Sequence, residues 1–445
     1  MKKLLRSFFF LSLSLSAAIL TAVSVFAQDV TRLGGDLTSY MPLFTALELP
    51  APNIRSEEMF QYHLQGHTDF HGSFRGVLRD GKPILGPFFN HQACGACHVK
   101  DGRGPIEISR NSFGSAMLIK VALKGLNSDG SPRSIPGVGE QLQDHSLRFK
   151  TRYNISLAWK YLQGAYLDGT PYILRRPRLN YTIPDVDTSK VVSSLRMSPT
   201  VIGMGLLEAV PVETLEALSD PDDLDGDGIS GEVSRVIDRA TGLPAVGRFG
   251  FRASHPSVKQ QSAAAFFNDM GMTNSIFGAT ESSLDVDPAV LERVTFYQQA
   301  ASVPAAREQN DPDVQEGKNL FKLLNCQTCH VMTLRTGETE VQEVSNQEFH
   351  PFTDLLLHDM GAGLADKRRE FTANGREWRT TPLWGLGLVR ILLDHGSIGY
   401  MHDGRARTLE EAILWHGGEG ARSRDGFKAL NKTQREQLVR FLKSL

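Results

Sequence analysis

The spacing of apolar positions changes character along the chain. From Phe8 to Val25 apolar residues run on with only Ser and Thr between them. They follow the basic segment Met1–Arg6 and end at Val25-Phe26-Ala27, with small residues three and one before a cut ahead of Gln28. That is the pattern of a secretory signal peptide over residues 1–27, and it predicts a periplasmic protein of the Gram-negative type. No Cys follows the cut, so a lipid-anchored form is not expected. No later run reaches about 18 apolar residues, so no membrane span is expected after cleavage. Further on, Ser56-Glu57-Glu58-Met59-Phe60 reads as a helix start capped by Ser56. Gly102-Arg103-Gly104-Pro105 stops any helix that reaches it. Polar and apolar residues alternate from Arg152 to Arg178 around Asp168-Gly169-Thr170, which predicts a β-hairpin. Residues 190 to about 310 are rich in Gly and Pro turns. Val314 to Leu324 is a short amphipathic helix, and the apolar Leu438, Val439, Phe441, Leu442 and Leu445 give the last segment a helical period suited to packing across it. A weak repeat accompanies this pattern. Arg196-Met197-Ser198-Pro199 leads to Gly203-Met204-Gly205-Leu206, and Arg379-Thr380-Thr381-Pro382 leads to Gly385-Leu386-Gly387-Leu388.

Composition adds only limits. With 445 residues the chain can bury two or three domains. A net charge of −2 and no long basic run leave no electrostatic footprint for nucleic acid. The cysteines change the picture. There are 4, and all fall in Cys94-Gly95-Ala96-Cys97-His98 and Cys326-Gln327-Thr328-Cys329-His330. An exported chain could use them for disulfides, a redox dithiol or half a zinc site. The His that directly follows each pair separates these readings, because C-x-x-C-H is the attachment pattern of a covalent c-type haem. Two thioethers hold the porphyrin edge, and His98 and His330 are placed to bind iron. The expected fold is therefore mainly α, with two cytochrome c-like haem domains at 28–310 and 311–445, the first enlarged by the hairpin and loop insertion.

The sixth iron position decides what each haem does: filled, the haem passes electrons; open, it can bind peroxide or oxygen. His416 is the first choice for the second haem, because Thr408 caps a helix that ends two turns later at His416 and is closed by Gly417 and Gly418. His at a helix end can also bind the last carbonyls. His358 and Met360 compete as ligands, and His402 can bond a haem propionate or hold the Asp403-Gly404 turn. His145, His255, His350 and His395 read as surface or structural. His67 and His71 are one turn apart, but the flanking Gly66 and Gly72 predict a loop. The first haem then lacks an obvious sixth ligand and is expected to be open. Peroxide chemistry there needs an acid/base group, for which Glu208, Glu140 and Gln141 are candidates. Asp223, Asp225 and Asp227 occupy positions 1, 3 and 5 of a calcium-type loop with Gly228 at position 6, although Ser234 replaces the closing Glu.

The chain resembles the di-haem oxidoreductase family, some members of which carry the name thiol oxidoreductase and which is related to bacterial di-haem cytochrome c peroxidase. The resemblance rests on Gly86-Pro87-Phe88-Phe89-Asn90, Gly203 to Pro211, Gly247-Arg248-Phe249-Gly250-Phe251, Asp269-Met270-Gly271-Met272-Thr273, Phe352 to Gly361, Glu377 to Gly385 and His402-Asp403-Gly404-Arg405. It implies a peroxidatic first haem and an electron-transferring second one. It also implies a small redox protein or cytochrome as electron donor, or an oxidisable substrate. Thr408 to Ile413 matches the segment that precedes the peroxidases' Met ligand, and His416 stands where that Met would be. A His there should lower the potential of the second haem.

Overall fold

A computed structural model describes residues 31–41, 45–76, 84–106, 116–147, 153–278, 284–393 and 398–445. The predicted signal peptide and His395 lie outside them. Helix α1 (Glu57–His71) starts where the pattern says, with Ser56 accepting from Met59 N. Strand β1 (Met117–Leu126) then enters a small sheet. It pairs antiparallel with β2 (Gln141–Leu142) and, over seven residues, with β5 (Val191–Met197). The predicted hairpin forms as β3 (Asn154–Ala165) and β4 (Pro171–Thr182), in register from Asn154↔Thr182 to Ala165↔Pro171. The turn joining them uses Gly169 at φ +84, a conformation that suits Gly alone.

The expectation of a mainly α fold is therefore corrected. Helix accounts for 33% and strand for 21%, so the chain is mixed. The reason lies in β1 and β5. Met117, Ile119 and Val121 on one, and Val191, Leu195 and Met197 on the other, bury a common face over Ile135 and Leu142. That alternation sits in short stretches among turn residues, and a strand needs its partner before it shows.

The rest of the described architecture is helices joined by small two-stranded sheets. Helices α2 (Met204–Glu208), α3 (Val258–Met270) and α4 (Pro288–Gln299) surround the first Cys pair. Helix α5 (Pro312–Leu323) leads into the second, followed by the two-stranded β6 (Leu357–Asp359) and β7 (Glu377–Arg379), then α6 (Leu409–Trp415) and α7 (Lys432–Ser444). Two helix crossings repeat one design. On α1, Gly66 lies where an added Cβ would collide with the Arg293 carbonyl of α4; on α5, Gly317 does the same against Gln437 of α7. Four residues after each Gly comes a Phe beside a motif His: Phe70 to His98 at 6.0 Å and Phe321 to His330 at 6.2 Å, ring centre to ring centre. The sequence showed the α5–α7 pair; α4 was hidden in the Gly- and Pro-rich stretch, where Asp287 caps it and Pro288 opens it.

The copies of the repeat meet each other. Gly203 (φ +64) presses on Trp384, and Gly385 (φ +73) faces Ile202. Among the described residues no helix is long and apolar enough to cross a membrane. A Gly66→Ala substitution forces backbone apart at the α1–α4 crossing and should cost about 1–3 kcal/mol. A urea titration checks this; an unmoved midpoint would show that the crossing is loose.

Candidate functional site

The second Cys pair opens onto a cleft of about 1390 Å³, counted out to its solvent mouth. Phe321, Cys326, Cys329, His330, Trp378, Arg379 and His416 are among its walls. His330 Nδ1 donates to the Phe352 carbonyl (3.0 Å), which turns Nε2 into the cleft. His416 follows α6, where Thr408 accepts from Glu411 N and Glu410 and Glu411 occupy the first turn. Its Nδ1 donates to Ala412 O at 2.8 Å, so its Nε2 is likewise left for the cleft. The two ring centres are 6.4 Å apart. Imidazoles on opposite faces of one metal, with metal–nitrogen bonds of about 2 Å, place their centres a little over 6 Å apart. Burial lowers both rings' affinity for protons, His330 to about 4. They are neutral, as ligands must be.

The cleft also fits an anionic, planar group in other ways. Arg103 and Arg379 are buried in its wall, and burial pushes each down to about 10. Their hydrogen bonds go to carbonyls: Arg103 to Met401, Arg379 to Gly250 and Thr380. Among the described residues Arg103 Nε and Trp378 Nε1 have no hydrogen-bond partner. Such cations suit carboxylate side groups like haem propionates. His402 stacks on Trp378, 3.5 Å between ring centres, with Arg252 and Arg196 also set against that indole.

His358 is excluded as a ligand by its partners. Its Nε2 lies 2.8 Å from Asp354 and its Nδ1 2.7 Å from Glu419. Burial alone would favour the neutral ring, but these carboxylates hold it charged well above the usual imidazole range. Replacing it with Gln leaves two buried carboxylates without their cation, at about 3–5 kcal/mol. Because the folded-state value is raised, the difference from wild type is full below about pH 6.5, the unfolded value, and shrinks as pH rises through the raised one. Paired urea titrations across pH measure this; a pH-independent difference would mean that the ring is neutral.

At the first Cys pair, Cys94–Cys97 form one helical turn and His98 Nδ1 donates to Pro199 O (2.7 Å). The nearby carboxylate is one that the sequence offered only within a family motif. Asp269, in the last turn of α3, is the leading charge acting on both Cys94 and Cys97 and also acts on His98. Its backbone oxygen accepts from Asn90 N just before the motif. Its carboxylate accepts from Gln141 Nε2 at 2.6 Å. Burial raises its pKa, opposed by Lys120, Gln141 and His98.

Of the three expected acid/base residues, only Gln141 reaches this group. Glu140 turns away to an ion pair with Arg368 (2.9 Å). Glu208 accepts from Val258 N (2.8 Å), the first residue of α3, and from Gln299 at the end of α4. Val258 and Asp269 are separated by about 16 Å of helix, so Glu208 serves the far end of α3. Burial raises its pKa, but both oxygens are engaged in tying helices together. The Asp-rich loop gathers Asp220, Asp223 and Asp225, whereas Asp227 turns to Ile229 N. Much of that cluster is spent on the loop's own amides, Leu224 N on Asp220 and Gly228 N on Asp223 among them.

Residues 27–114, 183–287 and 278–445 match the family described as "Di-haem oxidoreductase, putative peroxidase". A comparison with curated proteins finds no match. Among solved structures, hydrazine synthase of Kuenenia stuttgartiensis aligns over 100% of both chains at 13% identity, with a TM-score of 0.39. The diheme peroxidase BthA of Burkholderia thailandensis aligns over 92% of this chain and 90% of its own at 14% identity and 0.36. At such scores neither likeness carries an argument.

Proposed function

Because the chain belongs to the di-haem oxidoreductase family, which implies two haem cofactors, we propose that it is an exported c-type cytochrome acting as a peroxidase-like oxidoreductase. Cys94, Cys97 and His98 hold one haem; Cys326, Cys329, His330 and His416 hold the other. One observation carries this reading: two motifs built alike have unlike surroundings. His330 faces a second neutral imidazole at 6.4 Å. Around the first Cys pair there stands instead a buried carboxylate, Asp269, which is the leading charge on Cys94 and Cys97 and is bound to an amide. The first surrounding suits electron storage, the second proton transfer.

Each bound haem supplies a redox-active iron; the protons are left to the protein. Reducing one hydrogen peroxide to two waters takes two electrons and two protons. Asp269, protonated more readily than an exposed carboxyl because it is buried, is the group to hold and release a proton at its Oδ atoms. Gln141 fixes its orientation from β2. Lys120, on β1, balances its charge. Arg103 and Arg379 hold the propionates of the second haem. Electrons come from a small redox protein or cytochrome, or from an oxidisable substrate. A thiol oxidoreductase finds no support, because on this reading all 4 Cys are taken up by the haems.

Electron paramagnetic resonance of the oxidised holoprotein, joined to a hydrogen peroxide assay, tests the reading. One high-spin and one low-spin haem with peroxide turnover is the expected result. Two low-spin haems and no turnover after half-reduction would make the protein a plain electron carrier.

A further inference from the structure

On the back of the first motif lies a cluster that none of this chemistry uses. The glycines around His67 and His71 predicted a loop, but both residues are in the last turns of α1. Gly66 belongs to the helix crossing, and Gly72 only closes it. The two imidazoles thus share a helical face, their ring centres 4.5 Å apart. The His71 ring rests against Gly95, between the two haem-binding cysteines. From the preceding loop Glu48 brings Oε1 to 3.6 Å from His71 Nε2. Donor atoms of Glu48, His67 and His71 all lie within 4.8 Å of one another.

A second observation comes from Asp101, which is 0% exposed. Its Oδ2 accepts from the Tyr297 hydroxyl at 2.6 Å. Its Oδ1 has no hydrogen-bond partner among the described residues and points at the cluster, 3.2 Å from His71 Nε2. An unpartnered, wholly buried carboxylate oxygen is costly unless a cation meets it. Asp101 also holds a left-handed backbone, φ +56, so its aim is set by the chain. A contact with His71 alone would leave the close approach of the His67 ring, 4.5 Å from that of His71, without a purpose.

We propose that Glu48, His67 and His71 bind one divalent transition-metal ion of the zinc type, with the Asp101 carboxylate turned toward it beside His71. Bonds of about 2.0–2.2 Å in a tetrahedral site put donor atoms a little over 3 Å apart. The separations of 3.2 and 3.6 Å around His71 approach that edge before any ion draws them in. Two His at i and i+4 on one face of a helix can offer two nitrogens to one zinc ion. Two carboxylates neutralise the ion's charge.

Holoprotein stripped with chelator, dialysed against buffered Zn²⁺ and analysed for total zinc and haem, decides the matter. One tight equivalent is expected in the parent. His67→Ala and Glu48→Gln should each weaken it at least about 100-fold, and Asp101→Asn about 10–100-fold, with both haems and their spin states retained. Glu48 lies outside α1, so that variant keeps the test open if the His change disturbs the helix. A parent that binds no zinc, or variants that bind as the parent does, would overturn the proposal.

Discussion

His416→Ala turns the second haem from low-spin to high-spin and leaves the first unchanged. The change is large because the other described histidines of the cleft are held elsewhere. His358 is held by Asp354 and Glu419. His402 is stacked flat on Trp378. Met360 lines the cleft near His416, so the Ala change is read together with Met360→Leu/His416→Ala, in which no thioether can take the vacated position. His416→Met is the informative companion, because a thioether restores six-coordination and raises the potential relative to imidazole. Electron paramagnetic resonance and a redox titration read both outcomes. An Ala variant whose low-spin signal survives the Met360 change as well would remove His416 from the iron.

Asp269→Asn is expected to lower peroxide turnover by about 10²–10⁴, the range a positioned acid/base group supplies. Haem content and both spin states should stay as in wild type, since Asn can still accept from Gln141. The pH profile adds a readout that structural damage would not mimic. If Asp269 must be ionised to accept a proton, the wild-type rate falls as pH drops through its raised value, and this acid limb disappears in the variant. Glu208→Gln is the control at the other end of α3. It should cost stability, because Val258 N and Gln299 lose a charged acceptor, while turnover stays within a few-fold. Equal losses in the two variants would return Glu208 to the chemistry and make Asp269 structural.

What could be read from the chain and what could not divide along one line. The Cys-x-x-Cys-His segments, the cap at Thr408 and the α5–α7 crossing depend on residues close in sequence or on a strong helical period. They are legible without a structure. Asp269 was not, because its closeness to Cys94 arises when α3 folds back so that its last turn clamps Asn90. Its only trace was a motif of no stated role. The position of Glu208 was hidden by the same gap: both carboxylates sit beside apolar residues, and only the helix between them shows that Glu208 serves the end of α3 away from Asp269. The sheet of β1 and β5 was missed for a related reason, since it pairs strands from either side of the hairpin. His67 and His71 were misread because Gly was taken as a helix breaker, whereas at a close crossing its missing side chain is what lets the helix continue.

The hairpin is more than an ornament on the first half. Its tip reaches the end of the chain, where Leu167 N donates to Lys428 O, Asp168 meets Arg435 of α7 at 2.9 Å, and the Tyr166 hydroxyl donates to Glu410 in the first turn of α6. That last bond joins residues 244 apart in sequence to the helix that presents His416. On the proposed reading, thioether bonds at Cys326 and Cys329 need only local chain. The proposed axial partner is different: its helix is held by an arm from 244 residues earlier in the chain. Capture of that haem would then rest on neighbours in sequence, and its electronic tuning on a contact between distant parts of the chain.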